Sequence, residues 1–217
     1  YKYFFMCGIV GIASENDCVK ELIAGLYSLE YRGYDSSGIA TLNDNLFTNK
    51  KSVGKISRLE NEIIKDKISG NLGIGHTRWA THGKPTLNNC HPFIKHNCAL
   101  VHNGIVENFE ELVKAFALDE TCLKSETDSE IIAEICDKLL NKFNNPIDVI
   151  KKISQNIEGT FSFAFLIKGS DSIYATRRGS PLVLGLSENF NSISSDVLGL
   201  PDATSEIIFL EENDIAT

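Results

Sequence analysis

The run Gly159-Thr160-Phe161-Ser162-Phe163-Ala164-Phe165-Leu166-Ile167 is apolar in both phases that a β-strand offers. Phe161, Phe163, Phe165 and Ile167 recur at every second residue, the strand period, and Ala164 and Leu166 fill the alternate positions. A strand apolar on both faces lies between two covering layers. The run therefore predicts a sheet with one face on helices and the other on a second sheet. Shorter strand signals flank it at 7–13, 38–42, 71–77, 99–101, 172–176, 181–184, 190–193 and 207–210. Helical spacing marks 19–29, with Asn16 and Asp17 as cap candidates, and more weakly 56–68. Three further helix starts follow. Asn108 with Glu111 and Thr127 with Glu130 resemble capping boxes, and Asn145-Pro146 places a proline in a first turn. Strands cluster at both ends of the chain with helices between. That order predicts an α+β fold with stacked antiparallel sheets covered by helices, not a doubly wound parallel sheet.

The 217 residues suit one domain. Lys and Arg number 21 against 29 Asp and Glu, a net charge of −8. This balance argues against sequence-independent nucleic-acid binding, which needs a basic face, and offers no basic run for an anionic membrane. No apolar run reaches the roughly 20 residues that span a bilayer. The six cysteines include no Cys-x-x-Cys pair, and no export signal is evident, so free thiols in a reducing, cytoplasmic compartment are expected. Cys90-His91 with Cys98 and His102 fits no common zinc spacing, so no metal or other cofactor is expected.

Residues with catalytic potential fall in four loops: 31–38, 76–83, 102–104 and 125–128. Each borders a strand or helix, where a rigid scaffold can hold a site. Taken singly, their Gly, Asn and Asp are ordinary turn residues. Cys7 follows Met6 directly. If Met6 is removed, thiol and α-amine share one residue, and an amine with pKa near about 7.7–8.0 can serve as the nucleophile's own base. Spacing alone favours Cys7 as a small buried residue at a strand start, the commonest fate of a free cysteine.

Several motifs in register resemble the class II glutamine amidotransferases. They are Met6-Cys7-Gly8-Ile9-Val10-Gly11, Leu29-Glu30-Tyr31-Arg32-Gly33-Tyr34-Asp35-Ser36, His76-Thr77-Arg78-Trp79-Ala80-Thr81-His82-Gly83, Val101-His102-Asn103-Gly104-Ile105, Ser125-Glu126-Thr127-Asp128-Ser129-Glu130 and Phe209-Leu210-Glu211-Glu212-Asn213-Asp214-Ile215-Ala216. The likeness is strongest to the glutaminase domains of the glutamine–fructose-6-phosphate aminotransferases (glucosamine-6-phosphate synthases) and covers residues 6–217. It implies an N-terminal-nucleophile hydrolase fold, two stacked antiparallel sheets between helical layers, and hydrolysis of L-glutamine to glutamate and ammonia. It implies Cys7 as nucleophile, with its own α-amine as general base. Asn103 and Gly104 become the oxyanion hole, and Arg78 the clamp on the substrate carboxylate, with Thr81 and His82 in support. Asp128 becomes the partner of the substrate ammonium, Trp79 the gate on the ammonia path, and Arg32 part of the loop that closes over substrate. The implied partners are L-glutamine and sugar-isomerase domains that take fructose 6-phosphate as acceptor, with a dimer only in the full-length enzyme.

In the family the nucleophile stands at the mature N-terminus, so residues 1–6 are expected to be a leader or initiator segment. Residues 7–217 are then expected to be the single glutaminase domain, with the sugar-isomerase domains absent from this chain. Taken alone, His76 and His102 at strand ends read as structural. Two other classes compete. A papain-like protease would pair Cys7 with His82 or His102 and Asn103, but Cys7 opens an apolar strand rather than a helix. A catalytically dead sensing module would not need Cys7, Arg78, Asn103, Gly104 and Asp128 together.

Overall fold

A computed structural model describes residues 7–79 and 83–217. The first sheet has seven strands. β1 (Gly8–Ser14), β2 (Ser36–Asn43), β3 (Leu46–Val53), β4 (Leu72–Arg78), β9 (Val183–Leu186), β10 (Phe190–Ser194) and β11 (Glu206–Phe209) pair in the order β11-β9-β10-β1-β4-β2-β3. The second has five: β5 (Phe93–Ile94), β6 (Cys98–Val106), β7 (Gly159–Ile167), β8 (Ile173–Arg178) and β12 (Ile215–Ala216), in the order β12-β8-β7-β6-β5. Every pairing is antiparallel. Helices α1 (Val19–Ser28) and α2 (Ile56–Lys65) belong with the first sheet. Helices α3 (Phe109–Ala115), α4 (Asp128–Leu140) and α5 (Pro146–Asn156) belong with the second.

Three apolar clusters define the layers. Val10, Ile12, Leu22, Leu26, Ile39, Ile56 and Leu59 join α1 and α2 to one face of the first sheet. Ile9, Ala40, Ile74, Val101, Ala164 and Leu166 fill the space between the sheets. Phe161, Phe163, Phe165 and Ile167 pack with Ile132, Ile135, Ile150 and Ile153 of α4 and α5. The two apolar phases of β7 thus divide as expected. The phenylalanines face helices and the smaller Ala164 and Leu166 face the other sheet, giving the four-layer αββα arrangement of an α+β fold.

Local signals did less than their spacing promised. Neither capping box forms: Asn108 and Thr127 make no side-chain cap bond. Asn108 instead ties the Asn156 carbonyl and the Glu158 N–H, at the turn into β7. Glu130 turns back to accept from the Lys124 and Ser125 N–H groups and meets Lys95 at 3.0 Å. Asp17 accepts from Gly70 N–H rather than capping α1. Asn145 does cap α5, accepting from Ile147 N–H at 3.0 Å, with Pro146 opening the helix.

Candidate active site

The site is built where the two sheets meet at one end. Cys7 lies one residue before β1, and the ladder pairs Gly8 with Thr77 and Ser36 with Arg78. Cys7 is thereby brought against the end of β4. Its Sγ accepts from Trp79 N–H at 3.3 Å. Burial pushes the Cys7 thiol up, opposed by that N–H and by the positive charge of Arg78. Asp35 adds to the rise and Arg32 opposes it. Arg32 donates through Nε to the Cys7 carbonyl at 3.1 Å and reaches Asp196 at 3.4 Å through Nη1. Tyr31 hydroxyl donates to the same Asp196 carboxylate at 2.9 Å.

Strand β6 of the second sheet brings Asn103 to the same point. The amide Nδ2 donates to the Cys7 carbonyl at 3.0 Å, and Oδ1 lies 3.0 Å from His76 Nε2 on β4. Gly104 has φ +134°, and a Cβ there would collide with the Thr160 carbonyl oxygen. Only glycine fits this backbone, which turns Gly104 into the cavity beside the nucleophile.

That cavity has a volume of about 820 Å³. Cys7, Arg78, Trp79, Gly104, Asp128 and Ile131 are among the residues that line it. Arg78 is buried and donates to the Lys84 and Gly83 carbonyls at 3.5 and 3.4 Å. Asp128 is the first residue of α4, where an anion faces the positive end of the helix. It accepts from Val106 N–H at 2.8 Å, which ties α4 to the end of β6. Ser129 hydroxyl donates to Asp128 and lies 2.9 Å from His102 Nδ1. The Trp79 ring meets Tyr34 edge to face, with centroids 5.7 Å apart. An isolated nucleophile, amide donors and separate positive and negative groups around one apolar-walled cavity suit an amino-acid amide as ligand.

The family pattern described as "Glutamine amidotransferase domain" matches residues 76–197. The chain belongs to that family. As a glutamine amidotransferase domain it has long curated relatives. It is 42% identical over 212 residues to glutamine–fructose-6-phosphate aminotransferase (isomerizing) of Acinetobacter baylyi, which covers 97% of this chain and 35% of that protein. It is 45% identical over 214 residues to the enzyme of that name from Francisella tularensis, with coverage of 97% and 35%. The domain spans about a third of the length of these relatives. Among solved structures, glutamine phosphoribosylpyrophosphate amidotransferase from B. subtilis superposes with a TM-score of 0.76 at 24% identity, covering 95% of this chain and 45% of that one. A glutamine aminotransferase class-II domain protein from Silicibacter pomeroyi gives 0.61 at 19% identity, covering 96% and 93%. At such identities the likeness shows the fold, the N-terminal-nucleophile hydrolase type.

Cys7, Arg32, Arg78, Trp79, Asn103, Gly104 and Asp128 are all brought to this end of the domain. Thr81 and His82 lie outside the described residues. Sequence reasoning missed two buried polar groups in the site's frame. Asn89 joins the two loops that flank the cavity: Nδ2 donates to the Lys84 carbonyl and to Glu126 Oε2, both at 3.0 Å, and Oδ1 accepts from Glu126 N–H at 2.9 Å. Asn89 stands in no sequence motif, and its partner Glu126 lies 37 residues on. His76 reads as structural in the sequence, and the structure adds its contact with Asn103 across the gap between sheets. No helix among the described residues is long and apolar enough to cross a membrane.

Proposed function

We propose that this domain hydrolyses the side-chain amide of L-glutamine to glutamate and ammonia, as the ammonia-donating part of a cytoplasmic glutamine–fructose-6-phosphate aminotransferase. In that larger enzyme, sugar-isomerase domains would use the ammonia on fructose 6-phosphate, and the dimer would belong to the full-length chain. The observation that carries the reading is the placement of Cys7 on the wall of a cavity that Arg78, Asp128 and Gly104 also line.

The Cys7 thiol gives its proton to its own α-amine, and sulfur adds to the amide carbon. One N–H of the Asn103 amide already serves the Cys7 carbonyl, which leaves the second, with the Gly104 N–H, for the oxygen that becomes negative. The C–N bond then breaks as the α-ammonium returns its proton to the departing nitrogen, so ammonia leaves and a thioester remains. Water adds to the thioester, its proton passing to the amine, and glutamate departs with the thiol restored. Arg78 binds the substrate carboxylate as a fork and Asp128 its ammonium, which selects free glutamine over a glutamine within a peptide. The raised thiol pKa leaves little thiolate at neutrality, so a base on the same residue has a task to perform.

The chemistry requires a free amine on Cys7 and hence the removal of residues 1–6. Protein beginning at Cys7 is expected to release glutamate and ammonia from L-glutamine, and protein beginning at Tyr1 is expected not to. Intact mass identifies each form before and after the assay. Equal turnover by a form whose leader is still attached would exclude the α-amine as base.

A further inference from the structure

We propose that His76 is a positioning residue for the oxyanion site, holding the Asn103 carboxamide with its NH₂ end toward Cys7. The proposal rests on the glutaminase reading above.

A carboxamide can sit in its place two ways, and the two exchange a donor for an acceptor. At Asn103 the choice is forced. The atom 3.0 Å away at the Cys7 end is a carbonyl oxygen, which only accepts, so nitrogen faces it. Oxygen then faces His76 Nε2 at 3.0 Å, and that nitrogen must donate. The same Nε2 lies 3.0 Å from the His102 carbonyl oxygen, a second pure acceptor. Two acceptors around one ring nitrogen fix the Nε2–H tautomer. Burial holds the His76 pKa down at about 3, so the ring is neutral at working pH and Nδ1 carries no proton. Consistently, Nδ1 has no hydrogen-bond partner among the described residues. The His91 ring covers His76 with centroids 4.0 Å apart.

His76 is fully buried, and its contact toward the nucleophile runs through Asn103, whose other end meets the Cys7 carbonyl. Its strand belongs to the first sheet and Asn103 to the second, and one hydrogen bond therefore sets the donor of one layer against the nucleophile of the other. Without it the carboxamide is held at the Cys7 carbonyl alone, and its second N–H can swing away from the developing negative charge. That loosening weakens stabilisation of the transition state and leaves binding of the substrate's charged ends untouched.

The test is steady-state kinetics on L-glutamine, with every protein beginning at Cys7 as verified by intact mass, for the parent, His76→Phe, His76→Gln, Asn103→Ala and the His76→Phe/Asn103→Ala pair, with thermal melting as a fold check. Loss of an oxyanion donor lowers kcat by about 10²–10³-fold, and a loosened donor is expected to lower it by about 30-fold or more with KM within about threefold. His76→Gln keeps an amide N–H at similar reach and is expected to recover most of kcat. In the Asn103→Ala background, His76→Phe is expected to add no further loss. If His76→Phe does not fold, His76→Asn replaces it, since its shorter amide falls short of Asn103 and the same kcat loss is expected. Parent-like kcat in the donor-less variant, an undiminished second loss in the Asn103→Ala background, or a folded His76→Gln as poor as His76→Phe would each overturn the proposal. A readout independent of turnover is the imidazole ¹⁵N spectrum. A proton on Nε2 and a bare Nδ1 from pH 8 to pH 5 is expected, and a proton on Nδ1 overturns the assignment. A parent that releases no glutamate overturns the glutaminase reading, while the ¹⁵N pattern still decides the orientation of Asn103.

Discussion

Arg78 and Asp128 reach the cavity from different layers, one at the end of β4 and one at the start of α4, and each has protein partners as well as a proposed ligand. Asp128 spends one oxygen on Val106 N–H and accepts from Ser129 with the other, yet a carboxylate has about four acceptor sites and retains capacity for an ammonium. Asp128→Asn keeps an acceptor for Val106 and removes the charge. Arg78→Lys keeps the charge and removes the planar fork that matches a carboxylate. Loss of one partner of a desolvated charge pair costs about 2–5 kcal/mol, so kcat/KM for glutamine is expected to fall by about 10²-fold or more in each variant, mainly through KM. Both variants folded and within a few-fold of the parent would remove these residues from substrate recognition. Residues of this kind were legible because they stand inside long motifs. His76 lies in such a motif too, but its partner is across an inter-sheet gap, and nothing in a linear sequence says which buried histidine faces which strand of another layer.

At the scale of elements, helices and central strands were readable because each has an apolar face whose period announces it. β3 was not. Leu46–Val53 reads LFTNKKSV and lies at the edge of its sheet, where half-exposed polar residues are adequate and no apolar face is demanded. A turn signal was present: Asp44 and Asn45 both take positive φ, 48° and 62°, the two-residue geometry that joins tight hairpins. The capping boxes failed for the opposite reason, since Glu130 has a closer use in holding residues 124 and 125 beside the cavity. Asn89 is the clearest case of an element-scale contact, a buried side chain clamping the loop after β4 to the loop before α4. Asn89→Ala leaves the Glu126 N–H without its partner, at a cost of about 1–3 kcal/mol. Melting is expected to fall by several degrees, with about 2–4 °C per kcal/mol for a domain of this size. Because the two loops position Arg78 and Asp128, KM for glutamine is expected to rise by about tenfold with kcat less affected, in keeping with the geometric sensitivity of positioned groups. A variant with unchanged melting and unchanged KM would show that the clamp holds nothing of consequence.

The whole molecule contains an acid-sensitive element that no single motif reveals. His76, His91 and His102 are buried together where the two sheets meet, and burial lowers the proton affinity of all three. For His91 the neighbouring ring charges add to the effect; for His102 the nearby Asp128 carboxylate partly opposes it. The unfolded chain binds a proton at each near pH 6.5, and the folded chain does so only at lower pH, well below it for His91 and at about 3 for His76. The unfolded state therefore holds more protons throughout that window, and stability falls as pH falls. His76 removes about 1.4 kcal/mol per pH unit below pH 6.5, about 2 kcal/mol by pH 5, and His91 and His102 act in the same direction. That is a large share of a typical domain's total of about 5–15 kcal/mol. The carboxylate of Glu130, held low by Lys95 and the Ser125 N–H against the effect of its burial, acts in the same direction but only below about pH 4.5, so the interval from 6.5 to 5 reports the histidines. Urea midpoints measured across pH 7.5 to 5 are expected to be level above pH 7 and to drop steeply below 6.5. His76→Gln is expected to be less stable at pH 7.5 but to lose less on acidification, because one of the proton acceptors is gone. A midpoint that stays level down to pH 5, with unchanged denaturant sensitivity, would mean that these rings accept protons in the folded state, and that a neutral His76 is not what orients Asn103 in acid.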